Sequence, residues 1–399
     1  MRWERDSSSA FLLPASNHVP ADDLIVIAEA FHGQGTVLAV EPLGSGNVND
    51  TFLVRSRAGC SVMQRINSSV FQEPQRVIEN LAVLSRHVQA RLTAMPPAHE
   101  LLVQRRWEQP RLISTNPEQP WHCCRQGGVW RCISHVPDAI SVDVIEDAAQ
   151  ARELGLGLGL FHLLISDLPV SSLADTLEGF HITPRYLDAY HRALVQTQAG
   201  PSAVTDHCMA FIRDREGMVA VLEQAKARGE LPLRPIHGDP KINNVMLDRT
   251  TGEAVALIDL DTVKPGLVHY DLGDCLRSGC NPLGEETSDL DGVRFELNLA
   301  EAILQGYFSV AGSMLTEAEV NLIPDAAQLI SFELGLRFFT DYLNGSTYFK
   351  ADHPEHNLQR ALVQFTLTAS IEQQLEPLRT MVQQLAKRST AGAEAEARH

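Results

Sequence analysis

The sequence predicts an α+β fold of two lobes, a small antiparallel β-sheet with one helix followed by a mainly helical lobe. Three observations predict it. From Val37 to about Val136, short strand-like runs are split by glycine and polar residues; after Pro137, apolar residues recur mostly at helical spacing. With 399 residues and 44% hydrophobic content, the chain can build an ample core. One segment, residues 236–261, concentrates polar chemistry where the far side of a cleft would begin. The expected boundaries are a tail over 1–20, a first lobe over 21–136, a second over 137–390 and a tail over 391–399. A hinge is expected near His135-Val136-Pro137.

Each element has its own signal. Residues 1–20 carry Arg2 and Arg5, but their apolar run, Phe11-Leu12-Leu13, is too short for a signal peptide. Val37–Val40, Thr51–Val54 and Ser61–Gln64 read as strands. Pro74 suits a first helical turn, and Val77, Leu81, Leu84 and Val88 follow on one helical face. The apolar stretch Leu154–Ile165 is broken by three glycines and His162 and falls short of a membrane span. Asn244–Asp248 and Glu253–Asp259 are strand-like around the turn residues Arg249-Thr250-Thr251-Gly252, which predicts a hairpin. Leu299, Ala302, Ile303 and Tyr307 mark one amphipathic helix; Ile371, Leu375, Leu378, Val382 and Leu385 mark another.

The 33 basic and 50 acidic residues give a net charge of −17, which argues against nucleic acid or an anionic membrane as partner. A magnesium-bound nucleotide is still compatible, because bulk charge is screened beyond about 8 Å at physiological salt. Seven cysteines without a Cys-x-x-Cys pair read as reduced thiols of a cytoplasmic protein.

The segment Ile236-His237-Gly238-Asp239-Pro240-Lys241-Ile242-Asn243-Asn244, followed by Ile258-Asp259-Leu260-Asp261, holds the inventory that phosphoryl transfer from ATP requires. Asp239 would take a hydroxyl proton, and Lys241 would place a cation on the moving phosphate. The hairpin would bring Asp259 back beside Asn244, so that both oxygens meet one Mg²⁺. Asp261 would be a second metal ligand or the end of the strand. His237 is read as packing and holding the loop. Between two strand-like runs, Gly44-Ser45-Gly46 is either a loop approached by phosphate or a hairpin turn, and the strand after it excludes a dinucleotide fingerprint. Arg337 interrupts the apolar run 334–339; its burial demands a partner, and Glu333 and Asp341 stand one helical turn away on either side.

This segment is similar to the catalytic loop of the aminoglycoside phosphotransferase and choline kinase superfamily. Several other stretches resemble bacterial N-acetylhexosamine 1-kinases: residues 44–51, 64–67, 180–181, 259–266, 270–274 and 337–345. The resemblance implies a protein-kinase-like fold, ATP and Mg²⁺ as cofactors, and an amino sugar phosphorylated at its anomeric hydroxyl. It also implies that Arg337, Tyr348 and Asp50 hold sugar hydroxyls. The chain departs from the kinase pattern on the third strand, where Gln64 stands in place of a lysine. Arg65 is then either a phosphate contact or a surface arginine, and neither Glu73 nor Glu79 is an evident helix partner. Asp271 is read as bracing the catalytic loop, while His181, Arg185, Asp274 and Arg277 carry no assigned role. Other expectations left open are an aminoglycoside or choline as acceptor, and a non-catalytic nucleotide-binding module.

Overall fold

The computed structural model describes residues 21–31, 35–44, 48–94, 105–115, 119–125, 127–197 and 199–396. The first part comprises α1 (Ala21–Glu29), β1 (Val37–Pro42), β2 (Asp50–Ser56), β3 (Gly59–Ile66), α2 (Pro74–Ala94), β4 (Leu112–Ile113), β5 (His122–Cys123) and β6 (Val129–Ser134). Its antiparallel sheet runs β1-β2-β3-β6-β4, with β5 also paired to β6. Because strand residues alternate between faces, the sheet buries apolar groups on both sides. Val54, Met63, Trp130 and Cys132 pack with Leu24, Ile27, Ala28 and Phe31, while Ile66 and Val129 pack with Val77 and Ile78 of α2. The first of these faces needs α1, a helix the sequence reading omits although Leu24, Ile27 and Ala28 stand at i, i+3 and i+4.

The chain leaves this sheet at Ser134 and enters β7 (Ala139–Ile140), which pairs with a hairpin of the second part. There follow α3 (Ala148–Ile165), α4 (Thr183–Gln196), α5 (Ala203–Arg213), α6 (Val221–Ala227), β8 (Arg234–Ile236), β9 (Val245–Asp248), β10 (Ala254–Leu257), β11 (Lys264–Gly266) and α7 (Val268–Gly279). The C-terminal helices are α8 (Leu297–Ala311), α9 (Glu317–Asn321), α10 (Ile323–Leu343), α11 (His356–Glu372) and α12 (Leu375–Glu396). β10-β9-β7 form one small sheet and β11-β8 another.

The glycines of α3 explain how this part closes. A Cβ on Gly155 would lie 1.8 Å from the Ile303 carbonyl oxygen of α8, and one on Gly306 would lie 2.0 Å from the Arg152 oxygen. On another side of α3, a Cβ on Gly157 would press Ala254 of β10 at 2.9 Å. The helix therefore touches backbone and hairpin at once, holding β9 and β10 against the core. No helix of the described residues is long and apolar enough to cross a membrane.

The apolar periodicity from Ile371 to Leu385, read as one helix, belongs to two, since α11 ends at Glu372 and α12 starts at Leu375. Pro377 gives the reason: it offers no N–H to the Gln373 carbonyl and its ring would clash there. The Gln374 amide donates instead to the Phe295 and Ser370 carbonyls, at 2.8 and 3.1 Å.

Candidate active site

The catalytic loop leaves β8 after Ile236 and is fastened before it reaches Asp239. Gly238 has φ +89°, and a Cβ there would meet the Thr262 carbonyl oxygen at 2.6 Å, so the position admits no side chain. Asp271 of α7 accepts from the backbone N–H groups of His237 and Gly238, at 2.7 and 2.8 Å, and from His162 at 2.8 Å. Burial opposes its charge, but the His162 bond and these donors hold the Asp271 carboxyl below the usual carboxylate range. His237 uses both ring nitrogens: Nε2 donates to the Ile258 carbonyl at 2.9 Å and Nδ1 accepts from Asp239 N–H at 3.3 Å. Burial pushes its pKa down, so His237 is a neutral brace and offers no free base.

A second histidine fastens the loop from the other side. His181, at φ +65°, donates through Nε2 to the Gly238 carbonyl at 2.7 Å and through Nδ1 to Glu333 at 2.9 Å. Burial works against its charge, but Glu333 and the Gly238 carbonyl outweigh it, and the pKa is raised. An imidazolium with two acceptors thus joins the catalytic loop to α10. This is the physical role that the sequence does not disclose for His181.

Asp239 lies 3.6 Å from the ammonium of Lys241. Burial pushes its pKa up to about 6, with Asp274 and Asp259 adding to the rise and Lys241 opposing it. The Asn244 amide donates to the Asp239 carbonyl at 2.7 Å and to its carboxylate at 3.3 Å. The hairpin returns as its turn chemistry predicts, with Ile258 N–H bonded to the Asn244 carbonyl at 2.9 Å. Asp259 follows directly, at φ +60°, a left-handed backbone that aspartate tolerates better than most residues. Among the described residues no hydrogen bond or ion pair engages its carboxylate. Burial raises its pKa, helped by Asp261 and opposed by Lys241 and Arg131.

Of the two readings of Asp261, the backbone agrees with the end of the strand, because Leu260–Thr262 form a 3₁₀ turn. The two carboxylate oxygens of Asp261 are taken by Arg131 and by the amide of Asn49. Arg131, only 1% exposed, also donates to the side-chain oxygen Oε1 of Gln64, at 3.0 Å through Nε and 2.7 Å through Nη2. A buried guanidinium thus stands on the neighbouring strand in register with Gln64. Arg131 carries a signal in the sequence, a charge within Val129-Trp130-Arg131-Cys132-Ile133, which is the same signal that marks Arg337. On α2, Glu79 is exposed and the buried neighbour is Asn80, which bonds the backbone of Ala174 and Val263.

Arg65 and Asp50 lie elsewhere. Alternation puts Arg65 on the Met63 face and Asp50 on the Val54 face, both toward α1, whereas Gln64 and Arg131 face Asp261. Arg65 and the exposed Asp50 approach each other at 3.9 Å. The structure therefore brings neither to the catalytic loop. Gly44 is exposed with φ +71°; Ser45 and Gly46 lie outside the described residues.

Asp239, Lys241, Asp259, Asp261, Arg337 and Tyr348 line one cavity; Asn244, buried and bonded to Asp239, is not among its lining residues. The ion pairs expected for Arg337 are not formed. Glu333 is engaged by His181 and Thr183, and Asp341 by the backbone N–H groups of Thr347, Tyr348 and Phe349. The Arg337 guanidinium sits instead 5.1–5.3 Å from the rings of Phe180, Tyr186 and Phe349. The cavity thus sets a braced carboxylate beside an ammonium, with an unengaged acid across the hairpin.

A family model described as phosphotransferase enzyme family matches residues 39–312, and the chain belongs to that family. Its fold is also that of an aminoglycoside phosphotransferase from Alicyclobacillus acidocaldarius, with TM-score 0.59 and 15% identity over 94% of this chain and 98% of that one. Choline kinase from Cryptosporidium parvum is similar at TM-score 0.57 and 13% identity, covering 90% and 97%. A spectinomycin phosphotransferase solved with ADP and spectinomycin is similar at TM-score 0.54 and 12% identity, covering 90% and 99%.

Proposed function

We propose that this protein transfers the γ-phosphate of ATP to a hydroxyl of a small molecule, most specifically to the anomeric hydroxyl of an N-acetylhexosamine. The observation that carries the reading is the convergence of Asp239, Lys241 and Asp259 on one cavity, with Asn244 bonded to Asp239. Asp239 orients the acceptor hydroxyl and takes its proton, and a pKa of about 6 suits a base working near neutrality. Lys241 screens the phosphoryl oxygens as charge spreads over them.

The donor set fits Mg²⁺. Asp259 offers a carboxylate and Asn244 an amide oxygen, both hard donors, and no group of three His, Cys, Asp or Glu among the described residues competes to hold a softer metal. Bound there, Mg²⁺ would neutralise the phosphates of the nucleotide. The acceptor assignment is supported by Arg337 and Tyr348 in the same cavity and by the resemblance of residues 337–345. The Arg337 guanidinium, with no ion-pair partner among the described residues, can donate two hydrogen bonds to vicinal hydroxyls. An acceptor panel with coupled ADP detection tests this. N-acetylhexosamines should turn over to a phosphate that hot dilute acid releases. Turnover of choline or an aminoglycoside, with no hexosamine accepted, would reject the sugar assignment.

A further inference from the structure

The peptide unit that leads into Asp239 is held at both ends by imidazoles. The Gly238 carbonyl accepts from Nε2 of His181 at 2.7 Å, and the Asp239 N–H donates to Nδ1 of His237 at 3.3 Å. The first bond is the shorter, and its donor stands on a separate segment, the turn before α4. Gly238, at φ +89°, adds no preference of its own, because glycine has no Cβ to bar the reversed peptide. The aim of Asp239 is therefore set by what bonds this peptide. His181 is itself fixed. Its φ of +65° is a left-handed conformation that a residue other than glycine keeps when its surroundings over-determine it. Glu333 accepts from Nδ1 at 2.9 Å, and Thr183 occupies the second Glu333 oxygen at 2.6 Å. Tyr270 stacks on the imidazole, with ring centroids 5.2 Å apart. The ring lines the same cavity as Asp239, yet both its nitrogens face acceptors, so it has no lone pair to take a substrate proton.

We infer that His181 is a positioning residue: by pinning the Gly238 carbonyl it aims the Asp239 carboxylate at the acceptor hydroxyl, and so governs turnover more than binding. A reacting group misplaced by about 1 Å can lose 10²-fold in rate. Acceptor and nucleotide are held by other side chains, so their affinities do not depend on this peptide. The inference rests on the reading of Asp239 as the base and adds the residue that orients it.

The test separates the two bonds of the ring. A glutamine amide nitrogen can reach the place of Nε2, and an asparagine one that of Nδ1. Initial rates of the full chain are measured with Mg²⁺ and ATP on the best acceptor among N-acetylglucosamine, N-acetylgalactosamine, choline and spectinomycin. Asparagine and glycine both tolerate positive φ. His181→Asn and His181→Gly should therefore fold, yet lose tenfold or more in kcat with the KM of acceptor and of ATP within threefold. His181→Gln, which keeps a donor for the Gly238 carbonyl, should stay within fivefold of the unmutated kcat. Gly155→Ala, weakened at the α3–α8 contact, controls for lost stability and should keep kcat within threefold below its Tm. Should His181→Gly fail to fold, the contrast between His181→Asn and His181→Gln decides. An unchanged kcat in His181→Asn, a loss confined to KM, or a His181→Gln variant as slow as His181→Asn would overturn the inference and leave Asp239 standing as the base. No turnover of any acceptor by the unmutated protein would remove both.

Discussion

At the residue scale, the proposed role of Asp239 as base predicts an acid limb of activity. Its carboxyl must be ionised to accept a proton, and burial raises its pKa to about 6. Activity is therefore present above pH 6 and lost as pH falls through it, and a pH profile of kcat/KM should show this limb. The same shift predicts the stability of Asp239→Asn. An unfolded aspartate ionises near 3.9, so the ionised group opposes folding above its folded value of about 6. At pH 8 the variant should melt no lower than the unmutated protein while losing about 10²–10⁴ in turnover. Arg131 gives the opposite case. Arg131→Met leaves the buried Asp261 without its ion-pair partner and with the Asn49 amide alone, which costs about 3–5 kcal/mol, measurable by urea unfolding. An unfolding curve indistinguishable from the unmutated protein's would show that the pair is not structural. Asp239, Lys241, Asn244 and Asp259 were legible in the sequence because a loop and a hairpin bring them together locally. Arg131 and His181 were not, since their partners Asp261 and Gly238 lie 130 and 57 residues away.

At the element scale, the strands 37–42, 50–56 and 59–66 and the helix beginning at Pro74 could be read from alternation, turn residues and helical spacing. The failures have physical causes. α1 owes its place to a sheet face that a local pattern does not reveal, and Pro377 cuts a helix without disturbing its apolar period. The glycines of α3, which looked like breaks, are its contact surface. Gly155→Ala drives a methyl into the Ile303 carbonyl and should cost at least 1–3 kcal/mol, seen as a clear fall in Tm. Gly217→Ala, with open space around it and an unstrained backbone, is the control and should change Tm little or raise it slightly. Equal effects at both positions would mean that the α3–α8 contact yields easily.

At the scale of the whole molecule, the active site lies where the hairpin β9–β10 meets the loop after β8, facing the sheet of the first part through Asn49 and Arg131. Arg131, one strand over from Gln64, is buried and spent on Asp261, so it ties the sheet to the turn after the hairpin. Ligation should be visible globally. Mg²⁺ and ATP at 100 times Kd add about 2.7 kcal/mol to stability, so both the unmutated protein and Asp239→Asn should show a raised Tm. Asp259→Asn, with one metal donor weakened, should show a smaller rise. An equal rise in all three would remove Asp259 from the metal site. The net charge of −17 offered no guide here, because the site is governed by a few groups at short range.

The clamp made by His181 has a consequence for how such a protein can change its diet. Glu333 holds this histidine, and Arg337, one helical turn further along α10, lines the cavity proposed for the acceptor. The rod that would sense the incoming molecule is thus tied to the backbone that carries the base. Mutational drift toward a new acceptor is free at Arg337 and Tyr348 but closed at Glu333, where any replacement would loosen the machinery together with the taste.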